Sequence, residues 1–301
     1  MLELSIIVCT YNRADLLGQC LDSLFAQDAP KDAYEVIVIN NNSTDETEDL
    51  VRKKINQYPG LSYIKETSIG LSYARNTGYK AAKGTWVGYI DDDALSNPDL
   101  ISEVLRTIKN YPFDCFGGAF IAWYVEKKPW WLPKRPFYFT NVIGKPDHCT
   151  ELKKGYISGG VAFYKKTLLE ETGGFNTSLG MTGNKIHYGE ETELQIRIRQ
   201  KGYRIGYNPK IIIQHYVAPY KLKMSWFLKS SYAVGKSYYS TFGGGNVFVV
   251  SVKSILKSWY VLIKNTVLFR YEPKIIFIEK LKSIGLTFGF IASIFSAKEE
   301  S

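Results

Sequence analysis

Over its first hundred residues the chain alternates short apolar runs with amphipathic stretches, and this alternation restricts the fold more than any other feature. LSIIVC (4–9), EVIVI (35–39), LSYIK (61–65) and TWVGYI (85–90) have the length and β-branched content of buried strands. After the first run, Leu16, Leu17, Cys20, Leu21, Leu24 and Phe25 recur at helical spacing. Ser43 followed by Glu46 predicts a capping box opening a helix to about residue 57. Residues 71–82 read as a small-residue helix, and Asn97-Pro98 opens a helix carrying Leu100, Ile101, Val104, Leu105 and Ile108. Such alternation implies an open, mainly parallel α/β sheet with helices on both faces. From about Tyr216 it gives way to Lys-studded, aromatic-rich helical sequence. The expected organisation is a domain over 1–215 followed by a basic, amphipathic helical region over 216–301.

Composition narrows the partners. With 301 residues and 45% apolar content the chain can bury a sizeable core. Cys9, Cys20, Cys115 and Cys149 show no CxxC pairing and no His cluster, which argues against a zinc site or a disulfide framework and for a reducing cytoplasm. The opening MLELSIIVCTYNR lacks a basic n-region and reads as a first strand, not a leader. No stretch reaches the roughly 18–20 uncharged apolar residues of a spanning helix, so no transmembrane anchor is expected. The net charge is +9, and residues 216–301 hold twelve Lys or Arg against four Asp or Glu. The excess therefore sits in the tail. That points to an anionic surface, lipid or nucleic acid; the tail has no nucleic-acid-binding module, and no nucleic-acid partner is expected.

In open α/β sheets ligands lie beyond the carboxyl ends of the strands, and here those ends are polar. The first run empties into Thr10-Tyr11-Asn12-Arg13, the second into Asn40-Asn41-Asn42-Ser43, the fourth into Asp91-Asp92-Asp93. Three adjacent carboxylates repel unless a cation or protons intervene, and hard oxygen ligands suit Mg2+ or Mn2+; an Asp-rich turn capping the next helix is the alternative. Arg13 and Arg75 can clamp phosphate, or lie solvated on their helices. Tyr11 can stack on a base or pack. Glu190-Glu191 opens a helix, where acidic residues also serve the helix dipole, and Glu191 is the best-placed carboxylate base outside the Asp triplet. His215, after the run IIIQ (211–214), is either a metal ligand or a satisfied boundary histidine.

SIIVCTYNR (5–13), VIVINNNSTDET (36–47), GLSYARNTGYKAAKGTWVGYIDDD (70–93), SGGVAFYKK (158–166) and GEETEL (189–194) occur in the order found in bacterial glycosyltransferase family 2, and the resemblance covers roughly the first 215 residues. It implies the GT-A fold, a nucleotide-sugar donor and inversion at the anomeric carbon. It also assigns roles. Thr10, Tyr11 and Arg13 would line the nucleoside pocket, with Asn41 and Arg75 also on the nucleotide-sugar side, and Asp91 to Asp93 would be the DXD-type motif, with Asp91 and Asp92 toward the donor and Asp93 on the cation. Gly159, Gly160 and Glu190 would lie on the acceptor side, Glu191 would be the catalytic base, and His215 would join Asp91 and Asp93 as a metal ligand. Two departures stand out: Asn40-Asn41 occupies a loop that is acidic in many relatives, leaving the base open, and Glu191 replaces the commoner Asp. The lack of a QxxRW-like motif argues for one sugar per encounter.

The resulting expectation is a Mn2+- or Mg2+-dependent inverting transferase of the hexosyl class. It would use a UDP-, GDP- or dTDP-linked donor and a glycan or lipid-linked acceptor in surface polysaccharide synthesis. The rival readings are a sugar nucleotidyltransferase, which lacks its GxGxR opening here, and an inactive scaffold, against which the intact carboxylates speak. In the tail, Phe248, Val252, Ile255, Leu256, Trp259, Leu262 and Ile263 are expected on one face of a helix and Lys253, Lys257 and Lys264 on another. That is the pattern of an interfacial helix on the inner face of the cell membrane, or of a helix packed on the catalytic domain. Trp130-Trp131 is a second candidate contact, or core.

Overall fold

The computed structural model describes residues 2–132, 146–183, 185–242, 247–268 and 273–299. Four strands, β1 (Leu4–Thr10), β2 (Tyr34–Asn40), β3 (Leu61–Lys65) and β4 (Trp86–Ile90), alternate with helices α1 (Ala14–Phe25), α2 (Thr47–Ile55) and α3 (Leu71–Ala81). β1, β2 and β4 are buried almost throughout, as strands covered on both faces must be. All four run parallel in the order β3-β2-β1-β4, so the order reverses at β1 and opens a crevice at the carboxyl ends of β1, β2 and β4.

The rest of the sheet was not foreshadowed by the alternation. It adds β5 (Ala94–Ser96), α4 (Leu100–Asn110), β6 (Cys115–Tyr124), β7 (Thr150–Glu151), β8 (Val161–Lys165), α5 (Lys166–Thr172), α6 (Glu190–Gln200) and β9 (Ile205–Val217). The full order is β3-β2-β1-β4-β8-β6-β9-β5, with β7 also on β9. β8 runs antiparallel to β4, Ile90 facing Val161, and therefore presents its leading end at the crevice. β5 pairs antiparallel with β9, placing Ala94 opposite His215. Core residues fill both sides: Leu17, Leu21, Leu24, Leu100, Ile101 and Val104 on one face, and Ala74, Tyr79, Leu168, Leu169, Leu194 and Ile198 on the other.

Two local expectations are corrected. The capping box at Ser43 and Glu46 does not form: Thr47 donates its N–H (3.2 Å) and hydroxyl (2.5 Å) to Asp45 Oδ1, while Ser43 Oγ accepts from Asn12 N at 2.9 Å. Ser43 therefore joins the loops after β1 and β2, where Asn12 and Asn42 both adopt left-handed backbone, a conformation Asn tolerates best after Gly. His215 lies inside the thirteen-residue β9, not beyond a short strand.

The chain divides into two units. One comprises 2–123, 146–178 and 190–216; the other holds 124–132, 179–189 apart from 184, and the described residues from 217 onward. The second unit is built on α7 (Met224–Phe242), α8 (Val247–Val267) and α9 (Pro273–Glu299). α7 and α9 touch backbone to backbone: a Cβ on Gly289 would lie 2.1 Å from Tyr232 O, and one on Gly235 would lie 2.5 Å from Leu286 O. The expected apolar face of α8 is split. Leu262 is buried and Trp259 Nε1 donates to Thr287 Oγ1 at 3.1 Å, whereas Phe248, Val252, Leu256 and Ile263 are exposed. Trp131 is buried against Phe227 within this unit, and Trp130 is 78% exposed. No helix among the described residues is long and apolar enough to cross a membrane.

Candidate functional site

Asp91, Asp92 and Asp93 follow β4 at the crevice, and their surroundings separate them. Asp92 and Asp93 are buried; Arg13, at the end of β1, donates from Nη1 to Asp92 Oδ1 and Asp93 Oδ2, both at 2.9 Å. His215 arrives on β9, its Nε2 lying 3.4 Å from Asp91 Oδ2 and 3.3 Å from Asp93 Oδ1. Its Nδ1 is 3.0 Å from Tyr216 O, and because a carbonyl only accepts, Nδ1 carries a proton. Nε2 then faces both carboxylates, as a donor when the ring is charged and as a lone pair, the form a cation needs, when it is neutral.

Atoms of Asp91, Asp93 and His215 all lie within 4.8 Å of one another, and Asp93 Oδ1 is buried without a hydrogen-bond donor. Three converging ligand atoms, one of them an unsatisfied carboxylate oxygen, fit a divalent cation. Burial pushes the Asp91 carboxyl up, but the hydrogen bond and charge of His215, with Arg75 and Arg13, hold it down at about 2. Asp92 is different: burial, joined by Asp93 and Asp91 and opposed by Arg13, raises it to about 6.

Because β8 is antiparallel, Ser158-Gly159-Gly160 reaches the same edge. Gly160 O accepts from Asp91 N at 3.3 Å, and a Cβ on Gly160 would fall 2.1 Å from Asp91 Oδ2. A Cβ on Gly159 would fall 2.8 Å from Arg75 Nη2. The glycine pair thus leaves room for the Asp91 carboxylate and the Arg75 guanidinium. Arg75, on α3, is buried with its guanidinium 5.2 Å from the Phe175 ring and 5.8 Å from the Tyr89 ring, and Tyr89 OH donates to its carbonyl at 3.1 Å. It donates to Glu190 Oε1 at 2.9 Å, at the start of α6. Despite burial, the charges of Glu190, Glu191 and Asp91 hold its proton more firmly than usual.

The half-buried Glu191 sits beside this pair. Burial, then the adjacent Glu190 carboxylate, raise its carboxyl to about 8 against the pull of Arg75. A carboxyl so raised exchanges its proton near neutrality. Sequence reading missed Gln195, one turn further along α6 and fully buried. Its Oε1 accepts from Ile157 N at 2.8 Å and its Nε2 donates to Ile157 O at 3.0 Å, so α6 fixes the approach to Gly159-Gly160. A Gln four residues after Glu191 was the only available signal.

Thr10 is buried and Tyr11 half-buried at the end of β1. Asn41 has both ends of its amide engaged: Nδ2 donates to Ser68 O at 2.7 Å and Oδ1 accepts from Gly70 N at 2.8 Å. It shapes the loop leading to α3.

A strand-order reversal, an acidic cluster at the end of β4 and a carboxylate at the start of α6 form the site edge of an open α/β fold of the GT-A type. Residues 5–173 match the family described as Glycosyl transferase family 2, and the chain belongs to that family: it is a glycosyltransferase. Among its relatives, the glucosyl-dolichyl phosphate glucuronosyltransferase of Haloferax volcanii is 28% identical over 247 residues, covering 78% of this chain and 76% of the relative. The glycosyltransferase EpsJ of Bacillus subtilis is 23% identical over 254 residues, 79% of this chain and 70% of EpsJ. Solved structures share the fold. The mannosyltransferase PcManGT of Pyrobaculum calidifontis, in complex with GDP-Man and Mn2+, superposes with a TM-score of 0.60 at 20% identity, covering 99% of this chain and 76% of that one. TarS of S. aureus gives 0.56 at 18% identity, covering 100% and 92%.

Proposed function

We propose that the enzyme transfers one sugar from a nucleotide diphosphate donor to a hydroxyl acceptor in a single displacement with inversion, supported by a divalent cation. The observation that carries this reading is the convergence of Asp91, Asp93 and His215 at the edge where the parallel strands end. These three residues would hold the cation, which when bound neutralises charge developing on the departing diphosphate. Thr10, Tyr11 and Arg13 border the nucleoside, Arg75 and Asp92 the donor's phosphate side, and Asn41 acts through the loop it holds. On the acceptor side, Glu191 takes the hydroxyl proton as the acceptor oxygen bonds to C1 and the bond from C1 to the phosphate oxygen breaks. Gly159, Gly160 and Glu190 border that approach. Glu190 keeps Arg75 in place and raises the proton affinity of Glu191.

The donor is of the UDP, GDP or dTDP type, and the cation is Mn2+ or Mg2+. Relatives named for dolichyl phosphate and poly(ribitol-phosphate) substrates support an acceptor that is a growing or lipid-linked surface glycan. A lipid-linked acceptor places the enzyme peripherally on the cytoplasmic face of the membrane. The test is a panel of nucleotide sugars assayed for hydrolysis with Mn2+, Mg2+ or EDTA, followed by NMR of the anomer formed on the accepted donor. Cation-dependent turnover of one donor with inverted product is expected; turnover undiminished by EDTA overturns the cation, and retained configuration overturns the single displacement.

A further inference from the structure

Helices packed in water hide their large apolar side chains and show their polar ones. α8 and α9 depart from this: they bury Leu262, Ile278 and Phe290 but leave most of their other large apolar side chains exposed. On α9, Phe277, Ile284, Phe288, Ile291 and Phe295 recur at spacings that keep them in one stripe, 38% to 63% exposed. The buried side of the same helix carries Ser283, Gly285, Gly289 and Ser293. On α8 the exposed stripe is Val252, Leu256, Ile263 and Val267, and the side turned to α9 is hydroxylated: Ser251 Oγ lies 3.3 Å from Ser293 Oγ, and Ser258 donates to Ser283 at 3.0 Å. Small and hydroxyl residues between helices with bulky apolar residues outside is the packing of helices whose surroundings are apolar.

Lys253, Lys257 and Lys264 form an exposed row along one flank of the α8 stripe. A second copy of this chain docked on the stripe would bring such rows near one another, at a cost in repulsion, whereas an anionic headgroup layer complements them. The three Lys also forbid a spanning path through hydrocarbon. We propose that α8 and α9 lie side by side in the plane of an anionic bilayer, both apolar stripes at the acyl boundary and the Lys row among the headgroups. The inference deepens the membrane-surface placement above and rests on it.

The test is flotation of the full chain with vesicles of phosphatidylcholine alone or with a third phosphatidylglycerol, at low and high salt. Wild type should float with the anionic vesicles at low salt and largely detach at high salt. Two double variants, Leu256→Ser with Ile263→Ser and Phe288→Ser with Phe295→Ser, should each bind at least about tenfold more weakly, with an unchanged circular dichroism spectrum and melting profile. Loss in the α8 variant with full binding in the α9 variant overturns the paired insertion while leaving a membrane-surface enzyme. No flotation of wild type overturns both. Self-association of wild type that both variants abolish, with flotation unaffected, assigns the stripes to a second copy and overturns the proposal. Flotation needs no turnover, so failure of the sugar-transfer reading leaves the result interpretable.

Discussion

Glu191 and its neighbours show how three side chains set one proton affinity. Glu191→Gln should keep donor binding and lose transfer by about 10²- to 10⁴-fold, measured as single-turnover transfer beside calorimetric donor affinity. In the proposed mechanism the basic form of Glu191 does the work, and with its carboxyl raised to about 8, kcat/KM should climb with pH and level off above that value. Glu190→Gln removes the neighbouring charge and should move the rise to lower pH; a profile that does not move would assign the proton to another group. Glu190 and Arg75 form a pair whose side chains are 6% and 5% exposed, so Arg75→Ala leaves a buried carboxylate unpaired and should cost about 3–5 kcal/mol in denaturant unfolding. The placement of Asp91 to Asp93 and of Glu191 at the crevice was legible because their chain positions are local features, directly after a strand and at a helix start. The bond from Arg13 to Asp92 and Asp93 was not: it joins residues far apart in sequence, and nothing local in TYNR specifies a carboxylate partner.

The strands show the same division. β1 to β4 were legible because each is a buried run bounded by helical periodicity, and parallel order follows from the connections. β8 was visible only as the motif SGGVAFYKK, since antiparallel insertion beside β4 depends on a partner far away in the chain. β9 was read as a short strand because Pro209 and alternating exposure break its apolar pattern. The reversal of β8 brings the glycine pair to the candidate site, and the atoms nearest a Cβ on Gly160 all belong to the Asp91 carboxylate. Gly160→Ala should therefore fold normally and weaken Mn2+ binding by about 10- to 100-fold, the range for groups that orient a ligand, as read by calorimetry. Gln195→Leu removes two hydrogen bonds to the Ile157 backbone. It should cost about 1–3 kcal/mol and lower transfer more than donor hydrolysis, if the segment it fixes borders the acceptor as proposed.

For the molecule as a whole, the proposed cation and donor would also be stability partners. Saturating Mn2+ with the accepted nucleotide should raise stability by about 2.7 kcal/mol at a hundredfold excess over Kd, visible as a shift in Tm, and Asp93→Asn should abolish the shift. The positive tail was legible from charge counting, but its inverted surface was not, because helical periodicity in sequence does not say which stripe faces a neighbour. The order of synthesis adds a consequence of where His215 sits. β1 to β4 and the acidic turn leave the ribosome early and can pair with one another by local connections, while β9 must be completed before the histidine joins them. Until then Asp91 and Asp93 have a negative neighbour and no imidazole. If Asp91, Asp93 and His215 hold the cation as proposed, that geometry is completed only with β9, after Glu190 and Glu191 have already been made.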